Sequence, residues 1–194
     1  MHALFHGPAP LRRGQVVLTQ GTGGVSCFAI QLAAASGATV IATSSSDAKL
    51  EQARALGATH TVNYKTHEDW AEEVLKLTGG RGVDRVVEIG GPSTLERSLK
   101  ATARGGVVAL VGFLSEGKKV ELLDVVGQLI YGGKTVYGTF YFTKRMTEEG
   151  VALFEEKGIR PAVGKVFEWR DAKRAFEALT EANTVGKIVI KVGE

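Results

Sequence analysis

A doubly wound parallel α/β sheet is the fold class this sequence predicts, on three observations. An apolar strand runs straight into a glycine cluster that opens a helix, over Val16 to Ala33. The same strand, polar turn and amphipathic helix then recur along the chain, and parallel strands need such crossovers, which are almost always right-handed. The 25 glycines among 194 residues exceed the usual share of about 7% and fall at the ends of apolar runs, where strand-to-helix turns belong.

Taken in order, Val16 onward is the first strand, the residues after Gly24 the first helix, and Thr39 to Thr43 the second strand, at the spacing of a βαβ unit. Asp47 to Leu56 is helical and stops at Gly57, His60 to Asn63 is a short strand, and His67 to Leu77 is a helix closed by Gly79 and Gly80. Val83 to Ile89 is expected to be a strand buried on both faces. Pro92 and Ser93 start a helix carrying Leu95, Leu99 and Ala103 that Gly105 and Gly106 break, and Val107 to Val111 is the next strand, ended by Gly112. Leu122 to Ile130 reads as a helix, Thr135 to Phe142 as a strand by its alternation, and Met146 to Lys157 as a helix. Beyond Gly158 the rhythm changes to a strand (163–167), a helix from Asp171 to Leu179 and a last apolar strand (186–192). The organisation expected is a domain over 1–160 and a C-terminal segment over 161–194 that belongs to another unit.

Composition excludes several classes. Charged residues make up 23% and the net charge is only +3, with basic residues dispersed among acids, which disfavours a nucleic-acid binder. Cys27 is the single cysteine, so neither an intramolecular disulfide nor a cysteine zinc site can form within the chain, and its place in a helix suits a small buried residue. No stretch of about 18 apolar residues occurs. A cytoplasmic protein is the expectation.

The glycine cluster carries the chemistry. Gly21 permits a tight turn, Gly23 lets the main chain approach phosphates, and the first amides of the helix, from Gly24 and Val25, point at an anion with the helix dipole behind them. Thr22 completes the loop, and Ser26 stands where the fingerprint has its third glycine, small enough for helix and strand still to pack. A dinucleotide diphosphate fits this pattern, and a tight αβ turn using glycines for packing is the alternative. Dinucleotide sites for NAD place an acid about 20 residues further on to bond the ribose hydroxyls. Here Ser44 and Ser45 occupy that place, and serine hydroxyls, unlike a carboxylate, tolerate a 2′-phosphate. Ile89 and Gly90 end a strand at the carboxyl edge, where open α/β sheets bind ligands, although each also fits a plain turn.

With these elements placed, the chain resembles the medium-chain dehydrogenase/reductase family, the zinc-type alcohol dehydrogenases and their zinc-free quinone oxidoreductase relatives. The residues carrying the resemblance are Arg13 to Leu18 leading into Gly21 to Val25, then Lys49-Leu50, Leu56 to Ala58, Asn63-Tyr64, Thr78 to Asp84, Gly105-Gly106, Val111-Gly112 and Gly186 to Ile190. The resemblance implies a nicotinamide cofactor, with Lys49 at the position of a 2′-phosphate-binding lysine and Tyr64 beside the adenosine. Together with the missing acid this favours NADP over NAD. It also puts Gly112 and Phe113 where the main chain meets the nicotinamide amide, and makes strand 135–142 a sheet edge that pairs with its mate in a homodimer. The family's N-terminal catalytic domain, which supplies zinc ligands or substrate contacts, has no counterpart before Arg12.

No chemical engine is legible. No tyrosine has a lysine four residues later, which disfavours the short-chain dehydrogenases, and His2, His6, His60 and His67 form no metal-spaced set, so no zinc is expected and no catalytic residue is assigned. His2 and His6 are expected to be exposed or disordered near a terminus, Glu72-Glu73 and Glu148-Glu149 to be solvated faces, and Trp70 and Trp169 to be packing residues. Three functions remain open: an NADP(H)-dependent oxidoreductase acting on a carbonyl, alcohol, quinone or enone; a cofactor-binding module without turnover; and a basic nucleic-acid binder, disfavoured by the dispersed charge.

Overall fold

A computed structural model describes residues 1–114, 120–139, 142–181 and 183–193. Strands β1 (Val16–Gln20), β2 (Thr39–Ser44), β3 (His60–Asn63), β4 (Val83–Glu88), β5 (Thr102–Leu110) and β6 (Thr135–Gly138) form one sheet in the order β3-β2-β1-β4-β5-β6, and every pairing in it is parallel. Helices α1 (Gly24–Ala35), α2 (Asp47–Ala55), α3 (Trp70–Leu77), α4 (Pro92–Ala101), α5 (Leu122–Gly132) and α6 (Lys144–Lys157) connect or follow these strands. This is the doubly wound α/β class. Its strand order reverses between β1 and β4, and ligands of such sheets bind beyond the carboxyl ends at that point. A separate pair of parallel strands, β7 (Val163–Glu168) and β8 (Lys187–Lys191), is joined through α7 (Ala172–Thr180).

The sheet is insulated on both faces, as parallel sheets are. One cluster packs α1 against the sheet through Val17, Ile30, Ala33, Val40 and Val87. The other packs α3 and α4 through Leu18, Ile41, Trp70, Val74, Val86 and Leu99. Each fully buried Leu or Ile here contributes roughly 1.5–3 kcal/mol, so the two clusters fix which strand face meets which helix.

Several boundaries differ from the expectation, for identifiable reasons. α3 starts at Trp70 rather than His67, because Asp69 accepts the Glu72 N–H as its cap while the His67 N–H bonds back to the Asn63 carbonyl at 3.0 Å. Ala103 lies in β5, not in α4: the strand begins at Thr102, and Gly105 and Gly106 sit within it at a register shift instead of breaking a helix. Gly105 takes φ +72°, which glycine adopts without strain. β6 ends at Gly138; of the strand expected to reach residue 142, positions 140 and 141 lie outside the described residues, and Phe142 is not in a strand.

His2 and His6 are not loose. They sit in a short π-helical turn (His2–His6) whose Leu4 is buried, and His6 Nε2 lies 2.7 Å from Glu149 Oε2. Arg85, buried in β4, bonds the carbonyls of Ala3 and Ala9 and the Tyr137 hydroxyl, which ties this N-terminal segment to the sheet. Burial lowers the Arg85 pKa and raises that of Tyr137. Trp70 packs in the core as expected, whereas Trp169 is 65% exposed, at the start of the turn between β7 and α7. Glu72 and Glu73 pair with Lys100 and Lys76, and Glu148 and Glu149 with Lys144 and Arg145, all on exposed faces.

Candidate functional site

β1 delivers the glycine loop to the sheet's switch point. Gly21 turns at φ +69°, which favours glycine, and Gly23 is the N-terminal flank of α1 at φ −72°, ψ 177°. That second conformation is open to any residue. A Cβ at Gly23 would meet no protein atom within 4 Å, and Gly23 is exposed. Neither backbone strain nor crowding within the chain therefore calls for glycine there. The first amides of α1, starting at Gly24 and Val25, have no intrahelical acceptor and no side-chain cap. Ser26, in place of a third glycine, is buried and donates its hydroxyl to the Gln20 carbonyl at 2.6 Å, pinning helix to strand.

The C-terminal segment reaches the same loop. Gly186 bridges to Gly23 in parallel fashion and its N–H donates to the Thr22 carbonyl at 3.0 Å. The Lys187 side chain lies across Gly24, where a Cβ would come within 2.6 Å of its Cδ. Its ammonium is 5.7 Å from the centre of the Phe28 ring. Cys27, buried in α1, donates to the Thr22 carbonyl at 3.3 Å, and burial raises its pKa. That thiol is a packing residue.

At the end of β2, Ser44 is 2% exposed and its hydroxyl is 3.4 Å from that of Thr22, which is also buried. Ser45 and Lys49 are half-buried on the loop and helix that follow. Asp47, the acid nearest this loop, accepts from Asn63 Nδ2 at 2.7 Å. A cleft of about 500 Å³ opens beside the glycine loop, bordered by Gly21, Thr43, Tyr64, Ile89, Gly90 and Thr94; small-ligand sites run to roughly 300–1,000 Å³. Four of the residues singled out from sequence thus share one cleft: Gly21, Tyr64, Ile89 and Gly90. Val25 instead lines a second, apolar cavity of about 520 Å³ with Phe28, Val111 and the N-terminal turn. Gly112 packs so tightly on Ile89 that a Cβ would lie 2.6 Å from its carbonyl oxygen, and Phe113 beside it is 74% exposed.

Sequence reasoning missed a buried polar network at the cleft wall. Glu88, at the end of β4, is fully buried and accepts four hydrogen bonds: from Gln20 Nε2 (2.7 Å), Gly91 N–H (3.0 Å), the Thr94 hydroxyl (2.6 Å) and the Ser98 hydroxyl. Gln20 Oε1 accepts the Ile89 and Gly90 N–H groups at 3.0 and 3.1 Å, and Gln20 Nε2 also donates to Ser98 at 2.7 Å. A Gln and a Glu closing two adjacent strands were the available signal. Among the described residues no three His, Cys, Asp or Glu side chains converge as metal ligands.

The profile of the zinc-binding dehydrogenase family matches residues 24–156. The chain is 43% identical over 94% of its length to a zinc-type alcohol dehydrogenase-like protein of Schizosaccharomyces pombe, covering 53% of that protein. It is 34% identical over 96% of its length to a 2-haloacrylate reductase of a Burkholderia species, covering 58% of it. A crystal structure of an NAD-dependent alcohol dehydrogenase superposes with a TM-score of 0.85 at 40% identity, over 94% of this chain and 52% of that one. The chain spans somewhat over half the length of the curated relatives it matches. Fold, glycine loop and matched span agree: the chain belongs to the zinc-binding dehydrogenase family.

Proposed function

We propose that residues 21–25 grip the diphosphate of a nicotinamide dinucleotide, NADP(H) in preference to NAD(H), and that the chain is the cofactor-binding part of an oxidoreductase acting on a carbonyl, alcohol, quinone or enone. The observation that carries this reading is Gly23. It is exposed, in a conformation open to every residue, with empty space where a side chain would stand. A glycine the chain's own fold does not require is explained by a ligand whose phosphates need that space. The amides of α1 and the helix dipole would hold the diphosphate, and Lys187, with no acidic partner in the described structure, would add a cation beside it.

The bound cofactor would accept or supply hydride; the chain's task is to orient it. The cleft bordered by Thr43 and Tyr64 would take the adenosine half. Ser45 and Lys49 would meet a 2′-phosphate, because no carboxylate ends β2. Gly112 and Phe113, following β5, would flank the nicotinamide, next to the apolar cavity that Val25 lines. Residues 161–194, which include β7 and β8, form a segment that serves a second unit, consistent with the separate two-stranded sheet. A homodimer through the β6 edge is proposed as well: among the described residues β6 has one paired neighbour, and α5 nearby exposes Leu122, Leu123, Ile130 and Tyr131.

Titrating NADPH and NADH into the chain by protein fluorescence tests the reading. Saturable binding of both, tighter for NADPH, is expected. Absence of binding of either would overturn it.

A further inference from the structure

The N–H groups of the turn after β4 are held by side chains, while its carbonyls accept main-chain N–H groups. Three consecutive N–H groups, of Ile89, Gly90 and Gly91, are bonded to Gln20 Oε1 and Glu88 Oε1. All four hydrogen-bonding positions of the Gln20 amide are used, two as acceptor and two as donor. Glu88, an acceptor-only carboxylate, collects four donors, one from each of β1, the turn, and two successive turns of α4. A carboxylate wholly removed from water is a costly way to join a strand to a helix, since apolar residues do that as well. Its position explains it. The turn it fixes borders the cleft that Tyr64 also lines, together with Gln20 and Thr94.

We infer that Glu88, acting through Gln20, is the positioning residue for the adenosine half of the dinucleotide, holding the 89–91 turn at the distance from Tyr64 that the nucleoside needs. The inference rests on the dinucleotide reading above and adds a division of labour to it. The diphosphate is held by α1, which the network does not touch beyond the Ser26 bond to the Gln20 carbonyl. The adenosine wall is set by Glu88. The same bonds also occupy the Gly91 amide at the start of α4.

This division makes the two halves separable. Replacing Glu88 by Gln puts an NH2 group against donors that need an acceptor, so the turn must shift. The test is competition of 5′-AMP and, separately, inorganic diphosphate against NADPH on the full chain and its Glu88→Gln variant. We expect 5′-AMP and NADPH to weaken tenfold or more while diphosphate stays within twofold. Equal affinity of both chains for 5′-AMP, or parallel loss of 5′-AMP and diphosphate as in a general collapse, would overturn the positioning role. If Glu88→Gln does not fold, Thr94→Val removes one donor at the cleft rim, with 5′-AMP expected three- to fivefold weaker and diphosphate unchanged; unaltered 5′-AMP binding there overturns the role equally. A parent chain that binds neither probe would instead overturn the nucleotide reading, and the positioning role with it.

Discussion

Replacing Gly23 by Val separates a ligand's need for space from the protein's own. In the free chain the Cβ of the new side chain meets nothing within 4 Å, and φ −72°, ψ 177° lies in the region valine favours. Valine is a poorer residue than glycine at a helix N-terminal flank, which offsets the entropy it removes from the unfolded chain, so unfolding free energy should change by no more than about 1 kcal/mol. Binding should respond differently. The branched side chain would occupy the space in which phosphate oxygens approach the Gly24 and Val25 amides, and each charge-assisted bond lost costs roughly 1.5–3 kcal/mol. Two such losses amount to about 3–6 kcal/mol, a rise in Kd of roughly a hundredfold to ten-thousandfold. Thermal unfolding and NADPH fluorescence titration on the same sample read both quantities. A variant that keeps its melting temperature and binds NADPH within twofold of the parent would refute the reasoning.

Further outcomes follow from the same geometry. Lys49→Ala should weaken NADPH about tenfold and leave NADH within twofold, measured by the same titration; equal effects would remove the argument for a 2′-phosphate. Ser26→Ala deletes the bond to the Gln20 carbonyl, and should destabilise the fold by about 1 kcal/mol in urea unfolding. Asp84 accepts Arg81 through both oxygens and the Val16 N–H at 2.7 Å, with the Arg81 guanidinium holding its pKa below the ordinary carboxylate value. A carboxylate depressed on folding stabilises above its unfolded pKa and loses that contribution as pH falls through the folded one. Asp84→Asn should therefore cost stability at neutral pH and leave a shallower loss below about pH 4 in acid titrations followed by circular dichroism. For the dimer, Leu123→Glu or Tyr131→Glu should shift sedimentation at micromolar concentration from dimer to monomer; a parent already monomeric there would remove that proposal.

Much of the fold was legible because its signals are local. Continuous apolar runs such as 107–111 mark buried strands, and Gly57, Gly79 and Gly158 mark where helices stop. Boundaries decided by side chains or by tertiary register were not. The cap on α3 depends on Asp69 reaching Glu72, and the glycine pair inside β5 reads as a breaker until β4 is laid beside it. The glycine loop of the site was readable for the same local reason, since strand, turn and helix lie consecutively. The Gln20 and Glu88 network was not, because its partners are 68 residues apart and only the parallel alignment of β1 with β4 brings them together. Nor was the C-terminal segment at Gly23 foreseeable, where Gly186 meets a loop more than 160 residues earlier in the chain.

Chemical-shift mapping of 15N-labelled protein during NADPH titration reads the diphosphate grip residue by residue. The largest saturable shifts are expected on the amides of Gly23, Gly24 and Val25, with smaller ones at Tyr64 and Gly90. Shifts confined to the apolar cavity around Phe28, or none at saturating NADPH, would contradict it.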